Sequence, residues 1–113
     1  MDKLTEYPKI IKRILKEYVE LCQCHPPEDI EIFLIVDEEK CHYIWMNVGW
    51  QNGERITGMT VYVRLRDGQF WIEEDWTQEG IATDLVSAGV PKEDIVLAFH
   101  EAKMREYTDF DVA

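Results

Sequence analysis

The 113-residue chain is 46% hydrophobic and 31% charged, which is the composition of one globular domain with a single core. Its formal net charge of −11 at pH 7 argues against direct binding to nucleic acid, because Lys and Arg must replace the counterions condensed on the phosphates. It has no apolar run of the roughly 20 residues that a membrane-spanning helix needs and no secretory signal pattern, so we expect a cytoplasmic protein.

The first predicted element is an amphipathic helix over residues 2–22. Apolar side chains recur there at steps of three and four residues, which is the spacing of a helix that packs one stripe on a core. Two consecutive prolines at positions 26 and 27 prevent its continuation. The opposite face of this helix carries four basic residues: Lys9, Lys12, Arg13 and Lys16.

Four runs typical of β-strands follow, at residues 30–36, 41–50, 57–65 and 69–73. The dipeptides Asn52-Gly53 and Asp67-Gly68 lie between the last three runs, and such dipeptides adopt positive φ in two-residue hairpin turns. Side chains alternate in character along the second and third runs, as they do in strands with two different faces. We therefore predict an antiparallel meander.

Residues 77–88 predict a second helix, with Gly89 just after its last turn and Pro91 beyond. Residues 95–99 form a short apolar run whose length favours a buried strand, and residues 101–107 predict a last short helix. The expected fold class is α+β in one domain over residues 1–113. In that fold, an antiparallel meander of about four strands carries the N-terminal helix and one or two C-terminal helices on one face.

Alternation divides the predicted sheet into two faces. We expect the helices to cover the more aliphatic face, which comprises Ile44, Met46, Val48, Val61, Val63, Phe70 and Ile72. The other face then carries four aromatic residues and one arginine: Tyr43, Trp45, Tyr62, Arg64 and Trp71. Trp, Tyr and Arg dominate the binding energy of protein interfaces, so this cluster is a candidate partner-binding surface. The alternative is that residues 95–99 or the C-terminal tail cover it.

Cysteine and histidine residues in the first half of the chain raise the question of a zinc site. The candidate ligands are Cys22, Cys24, His25, Cys41 and His42. A C-x-C pair combined with an adjacent cysteine and histidine is not a usual structural zinc arrangement, and neighbouring residues of a strand point to opposite faces. We therefore predict reduced cysteines and neither a metal nor another cofactor.

Catalytic chemistry has little support in the sequence, which contains neither a nucleophile motif nor a metalloprotease motif. The acidic run at residues 73–75 would splay its carboxylates to both faces of a strand, which favours a solvated edge over a cation site. A hydrolase that uses His42 or His100 with nearby carboxylates is the weakest alternative. We predict that the protein is not an enzyme.

The most specific segment of the sequence reads GIA at residues 80–82 and LVSAGVPKEDIVLAFH at residues 85–100. This segment closely resembles the XisI family, the fdxN element excision controlling factor proteins, and shorter matches extend the resemblance over essentially the whole chain. Membership implies an accessory role in programmed DNA rearrangement in filamentous nitrogen-fixing bacteria, where a site-specific recombinase excises the element. It also implies a companion protein, XisH, whose family looks nuclease-like.

Charge, missing catalytic motifs and resemblance together predict a non-enzymatic regulatory protein that binds an XisH-like companion, the recombination complex or a second copy of itself. An acidic surface suits a basic, DNA-binding partner. The alternative is a small DNA-contacting recombination directionality factor that uses the basic face of the first helix, at Lys9, Lys12, Arg13 and Lys16.

Overall fold

The computed structural model describes residues 3–24 and 29–99. In chain order, these residues form α1 (Lys3–Cys24), β1 (Ile30–Asp37), β2 (His42–Gln51), β3 (Glu54–Arg66), β4 (Gln69–Asp75), α2 (Ile81–Ser87), a 3-10 turn (Lys92–Asp94) and β5 (Ile95–Leu97). The predicted helix at residues 101–107 lies outside the described residues.

The strands form one sheet in the order β1-β2-β3-β4-β5. The pairs among β1 to β4 are antiparallel, which confirms the predicted meander, whereas β5 runs parallel to β4. The prediction of a purely antiparallel sheet of about four strands is therefore wrong. The chain leaves β4, crosses one face of the sheet through α2, and returns in the same direction, as a parallel neighbour requires.

Both predicted hairpin turns are confirmed by their backbone angles. Asn52 and Gly53 have φ values of 52° and 79°, and Asp67 and Gly68 have values of 54° and 74°. Two successive positive φ values are characteristic of the type I′ turn, whose twist matches that of the strands it joins. These turns set the registers between β2 and β3 and between β3 and β4.

Helices α1 and α2 cover the sheet face that contains Tyr43 and Trp45, which are only 1% and 8% exposed. The ring of Tyr18 on α1 stacks on Trp45 with the ring centroids 5.8 Å apart. Burial, together with nearby anionic groups, raises the pKa of Tyr43 to about 12. The core on this face also contains Val61, Val63, Phe70 and Ile72, with side chains from both helices.

The prediction that Ile44, Met46 and Val48 of β2 face the helices is therefore wrong. The predicted division of the β2 side chains into two alternating sets is confirmed. Tyr43 pairs with Val63 and Trp45 pairs with Val61, so these four side chains share the covered face. Ile44, Met46 and Val48 lie on the opposite face. Alternation defines two sets of side chains in each strand, but only the register with the neighbouring strand decides which sets share a face.

A buried polar cluster joins the start of α1 to the turn before β5. The hydroxyl of Tyr7 donates to Oδ2 of Asp94 at 2.6 Å, and Nζ of Lys3 lies 2.9 Å from the same oxygen. The Asp94 residue is 6% exposed, so its carboxylate needs these partners to be stable inside the fold. Burial alone would raise the pKa of Asp94, but the bonds and charge from Lys3 and Tyr7 outweigh it and hold the pKa below its ordinary value.

Helix α2 begins four residues later than its predicted start at residue 77, because Asp75 organises the preceding loop. Its Oδ1 accepts from the backbone N–H of Thr77 at 3.0 Å, and its Oδ2 accepts from the N–H of Ile81 at 2.7 Å. These bonds hold the intervening residues in a non-helical turn, which includes Gly80 at a φ of 88°. The predicted helix end is confirmed, since Gly89 follows it with a φ of 96°.

Tyr7→Phe should lower the free energy of unfolding at pH 7 by about 1–3 kcal/mol, because it keeps the ring and removes a donor to a buried carboxylate. This loss should shrink on acidification. The folded-state pKa of Asp94 lies below its unfolded-state pKa, so its contribution is complete above the unfolded-state pKa and disappears as pH falls through the folded-state pKa. Urea denaturation at a series of pH values measures both effects.

Tyr18→Phe is the matched control, because the Tyr18 hydroxyl donates to Asp84 at 2.7 Å in a partly exposed position. Tyr18→Phe should lower the free energy of unfolding by less than Tyr7→Phe does. Equal losses for the two variants, or a Tyr7→Phe loss that does not change with pH, would contradict the role assigned to buried Asp94.

Candidate protein-interaction surface

The sheet face opposite the two described helices is apolar across four strands, and we call it the open face. Phe33 pairs with Met46, Ile35 with Ile44, Ile44 with Tyr62 and Met46 with Met59, so these side chains share one side of the sheet. The main members of the open face are Phe33, Ile35, Ile44, Met46, Val48, Met59, Tyr62 and Trp71.

The side chains of the open face are only partly buried, and Ile35 is 40% exposed. An antiparallel sheet with one face on the core normally carries polar residues on its other face. Contiguous apolar and aromatic side chains on such a face are typical of contact surfaces. The open face is therefore the strongest candidate for a binding site among the described residues.

A bulge in β3 extends this apolar area. Trp45 pairs with Val61 and Met46 pairs with Met59, which leaves Thr60 as an additional residue between them. Simple alternation from Val61 would place Met59 on the covered face, whereas the bulge brings it beside Met46. The amide of Asn47 donates to the Thr60 hydroxyl at 2.7 Å and stabilises the bulged segment.

Polar side chains are interleaved with the apolar ones along the β4 side of the open face. The hydroxyl of Tyr62 lies 2.6 Å from Nδ1 of His42, and Nη2 of Arg64 lies 3.4 Å from Glu73. The guanidinium of Arg66 lies over the Trp71 ring at 5.0 Å from its centroid. Such contacts fix the orientation of side chains that a partner would meet.

The five predicted surface residues are divided between the two faces of the sheet. Tyr62, Arg64 and Trp71 lie on the open face, as the pairing of Arg64 with Trp71 shows. Tyr43 and Trp45 lie in the core and are not available to a partner. Phe33, Ile44, Met46 and Met59 are members of the surface that sequence reasoning missed, and only the strand register and the bulge identify them.

The sequence left open the alternative that residues 95–99 cover the face that carries Tyr62, Arg64 and Trp71. That alternative is wrong for β5, the strand within this segment. Ile95–Leu97 lies beside β4 at an edge of the sheet and does not cross the open face. The C-terminal tail that was the other predicted cover lies outside the described residues.

The basic face of α1 is largely compensated by nearby carboxylates. Lys9 lies 3.9 Å from Glu6, Lys16 lies 3.9 Å from Glu20, and Lys12 makes an ion pair with Glu38 on the loop after β1. The remaining basic residue, Arg13, lines a groove that also contains Glu17 and Asp84. Surface pairs of this kind contribute little stability, but the carboxylates reduce the local positive charge that phosphate contacts would use.

The predicted metal candidates do not converge in the part of the chain that the structure describes. Cys22, Cys24 and Cys41 are free thiols, and His42 is engaged with Tyr62. Within residues 3–24 and 29–99, no three His, Cys, Asp or Glu side chains form a group that could hold a metal ion. His25 and His100 lie outside these residues. Among the described residues, α1 is too highly charged and α2 too short to span a membrane.

Comparison with known proteins identifies relatives over almost the whole chain. The family model described as XisI protein matches residues 1–112. A crystal structure of a XisI-like protein from Anabaena variabilis ATCC 29413 is 39% identical, with a TM-score of 0.89 over 97% of this chain and 99% of that one. A crystal structure of the fdxN element excision controlling factor XisI from the same organism is 37% identical, with a TM-score of 0.87 over 99% of this chain and 100% of that one. No curated protein matches the sequence.

Trp45→Ala should lower the free energy of unfolding by about 3–5 kcal/mol, because it leaves a cavity under α1. Trp71→Ala should cost only about 1 kcal/mol, since the open-face ring is partly exposed. Trp45→Phe should be milder than Trp45→Ala, because it keeps most of the volume and removes an indole N–H that is buried without an acceptor. Urea denaturation of the three variants checks this order, and equal costs for the two alanine variants would contradict the assignment of the faces.

Proposed function

The chain belongs to the XisI family, as its sequence resemblance predicted, and from this membership we propose that it is a regulator of DNA-element excision that acts by binding another protein. One of the solved relatives is described as an fdxN element excision controlling factor. The observation that supports the binding mechanism is the apolar open face. The described residues leave its side chains only partly buried, and contact with a partner would remove that apolar surface from water.

The polar side chains beside the open face fit a protein-binding surface better than a catalytic site. The polar groups beside the open face are engaged with one another: His42 with Tyr62, and Arg64 with Glu73. A catalytic site would instead need a nucleophile or an ion beside a base. The proposed role is therefore non-enzymatic, with the chemistry of excision left to the recombinase.

The partner that we propose is an XisH-like, nuclease-like companion. A protein that handles DNA carries a basic surface, and this chain has a net charge of −11. Acidic residues flank the open face at both sides, with Glu31 on β1 and Glu74 on β4, whereas Glu73 is paired with Arg64. Opposite charges would steer the two proteins together, and the apolar centre would supply most of the affinity.

Met46→Lys should weaken binding of the purified XisH-like companion by at least tenfold, because it places a charge at the centre of the open face. Its matched control is Leu21→Lys, at an apolar position of α1 that is 71% exposed on the covered side of the sheet. Titration calorimetry measures both affinities, with circular dichroism as the check that each variant is folded. Affinity of the unaltered protein should also fall as salt rises.

Equal affinities for Met46→Lys and the unaltered protein would overturn the open face as the binding site. A low-salt mobility assay tests the alternative function, a recombination directionality factor that contacts DNA through the basic face of α1. A shift of DNA from the ends of the excised element by this protein alone would favour that alternative. That shift should then be lost in Lys9→Glu combined with Lys16→Glu.

A further inference from the structure

Strand β1 is a long strand at one edge of the sheet. It has eight residues, Ile30–Asp37, whereas the strand at the opposite edge, β5, has three. Within residues 3–24 and 29–99, no other strand pairs with the outer side of β1. Long edge strands are templates for pairing with another chain, and proteins normally shorten or block them.

The outward backbone groups of β1 can be identified from two hydrogen bonds. Trp50 N–H donates to the Asp29 carbonyl at 3.0 Å, so Asp29 and every second residue after it face β2. The intervening residues must point their N–H and C=O groups outward. The amide of Gln23 on α1 donates to one of these outward carbonyls, that of Ile32, at 2.9 Å. Leu34 and Val36 remain as outward residues that this side chain does not cover.

The side chains of β1 define what an added strand would meet. On the open face, the apolar pair Phe33 and Ile35 lies between Glu31 and Asp37. Residues 29–39 contain five acidic residues and no Lys or Arg. A complementary strand would carry apolar residues at its centre and a basic residue at each end, because cross-strand pairs of opposite charge are favourable.

We propose that β1 accepts an extended basic segment of the companion protein as a sixth strand, paired antiparallel along Leu34 and Val36. This inference rests on the proposed function and names how the partner is recognised. Main-chain hydrogen bonds provide the pairing, and the alternate side chains provide specificity. The added strand widens the open face, so one partner engages both the edge and the face.

A second copy of the chain fits this edge poorly in the registers that place Phe33 opposite an apolar residue of the other β1 strand. If two β1 strands paired antiparallel with Phe33 opposite Ile35, Glu31 would lie opposite Asp37. If Phe33 lay opposite Phe33, Asp29 would lie opposite Asp37. Like charges directly opposite each other destabilise a strand pair, and both of these registers contain such pairs.

The test uses a synthetic peptide, Arg-Thr-Val-Thr-Val-Thr-Arg, and the acidic control Glu-Thr-Val-Thr-Val-Thr-Glu. Val36→Pro removes one outward N–H, and an edge strand tolerates proline at such a position. Val36→Thr is the control, because it keeps the N–H and loses a similar amount of apolar surface. The basic peptide should bind the unaltered protein and Val36→Thr at least tenfold more tightly than Val36→Pro, by fluorescence anisotropy. In the unaltered protein it should slow hydrogen exchange of the Val36 amide, whereas the acidic peptide should not.

Equal binding of the two peptides, or equal binding to Val36→Pro and Val36→Thr, would overturn the proposal. So would sedimentation of the free protein as a dimer that Val36→Pro dissociates, because β1 would then pair with a second copy. The two proposals fail separately. If Met46→Lys weakens the companion complex and the peptide result is negative, only the edge is wrong. If the peptide result is positive and Met46→Lys has no effect, only the open face is wrong.

Discussion

Tyr43 pairs with Val63 and Trp45 pairs with Val61 across β2 and β3, and all four side chains are buried beneath the helices. This register determines the rest of the structure, because a slip by one residue would transfer every β2 side chain to the other side of the sheet. The type I′ turn at residues 52–53 fixes the register locally. Stacking of Tyr18 on Trp45 joins it to α1.

Polar contacts then hold both helices on that side. Lys3 and Tyr7, in the first two turns of α1, bind buried Asp94, and Tyr18 binds Asp84 on α2. Each contact connects residues more than 60 positions apart in sequence, so the helices are positioned by tertiary structure. Because both described helices lie on one face, the apolar side chains of the other face are only partly buried by the described residues, and this is the surface that we propose for a partner. The edge of β1 lies beside it.

Much of the fold could be predicted from local sequence, because the relevant interactions are local. Asn52-Gly53 and Asp67-Gly68 identify hairpins wherever they occur between strands, and the apolar stripe of α1 identifies a helix that packs on a core. The parallel pairing of Ile95–Leu97 with β4 could not be predicted, because a three-residue apolar segment does not indicate which strand it pairs with or in which direction. The start of α2 was predicted too early, because the Asp75 carboxylate binds the N–H of Ile81 six residues later and holds the intervening residues out of the helix. Helix propensities of single residues contain no information on such a bond.

The candidate surface was only partly predictable for the same reason. Alternation correctly placed Tyr43 with Trp45 and Tyr62 with Arg64. Which set of one strand shares a face with which set of the next depends on the register between the strands, and bulges shift that register. The aromatic character of Tyr43 and Trp45 suggested an interface, whereas their size serves to fill the space beneath α1. Met59 reaches the open face only through the bulge at Thr60.

Methyl cross-saturation NMR of the complex with the XisH-like companion would show whether the partner binds the open face, since it reports which methyl groups the partner touches. We expect signal loss at Ile35, Ile44, Met46 and Met59, with the core methyl groups of Ile11 and Ile72 unaffected. Signal loss confined to Leu4 and Leu21 on α1, with the open-face methyl groups unchanged, would contradict binding at the open face.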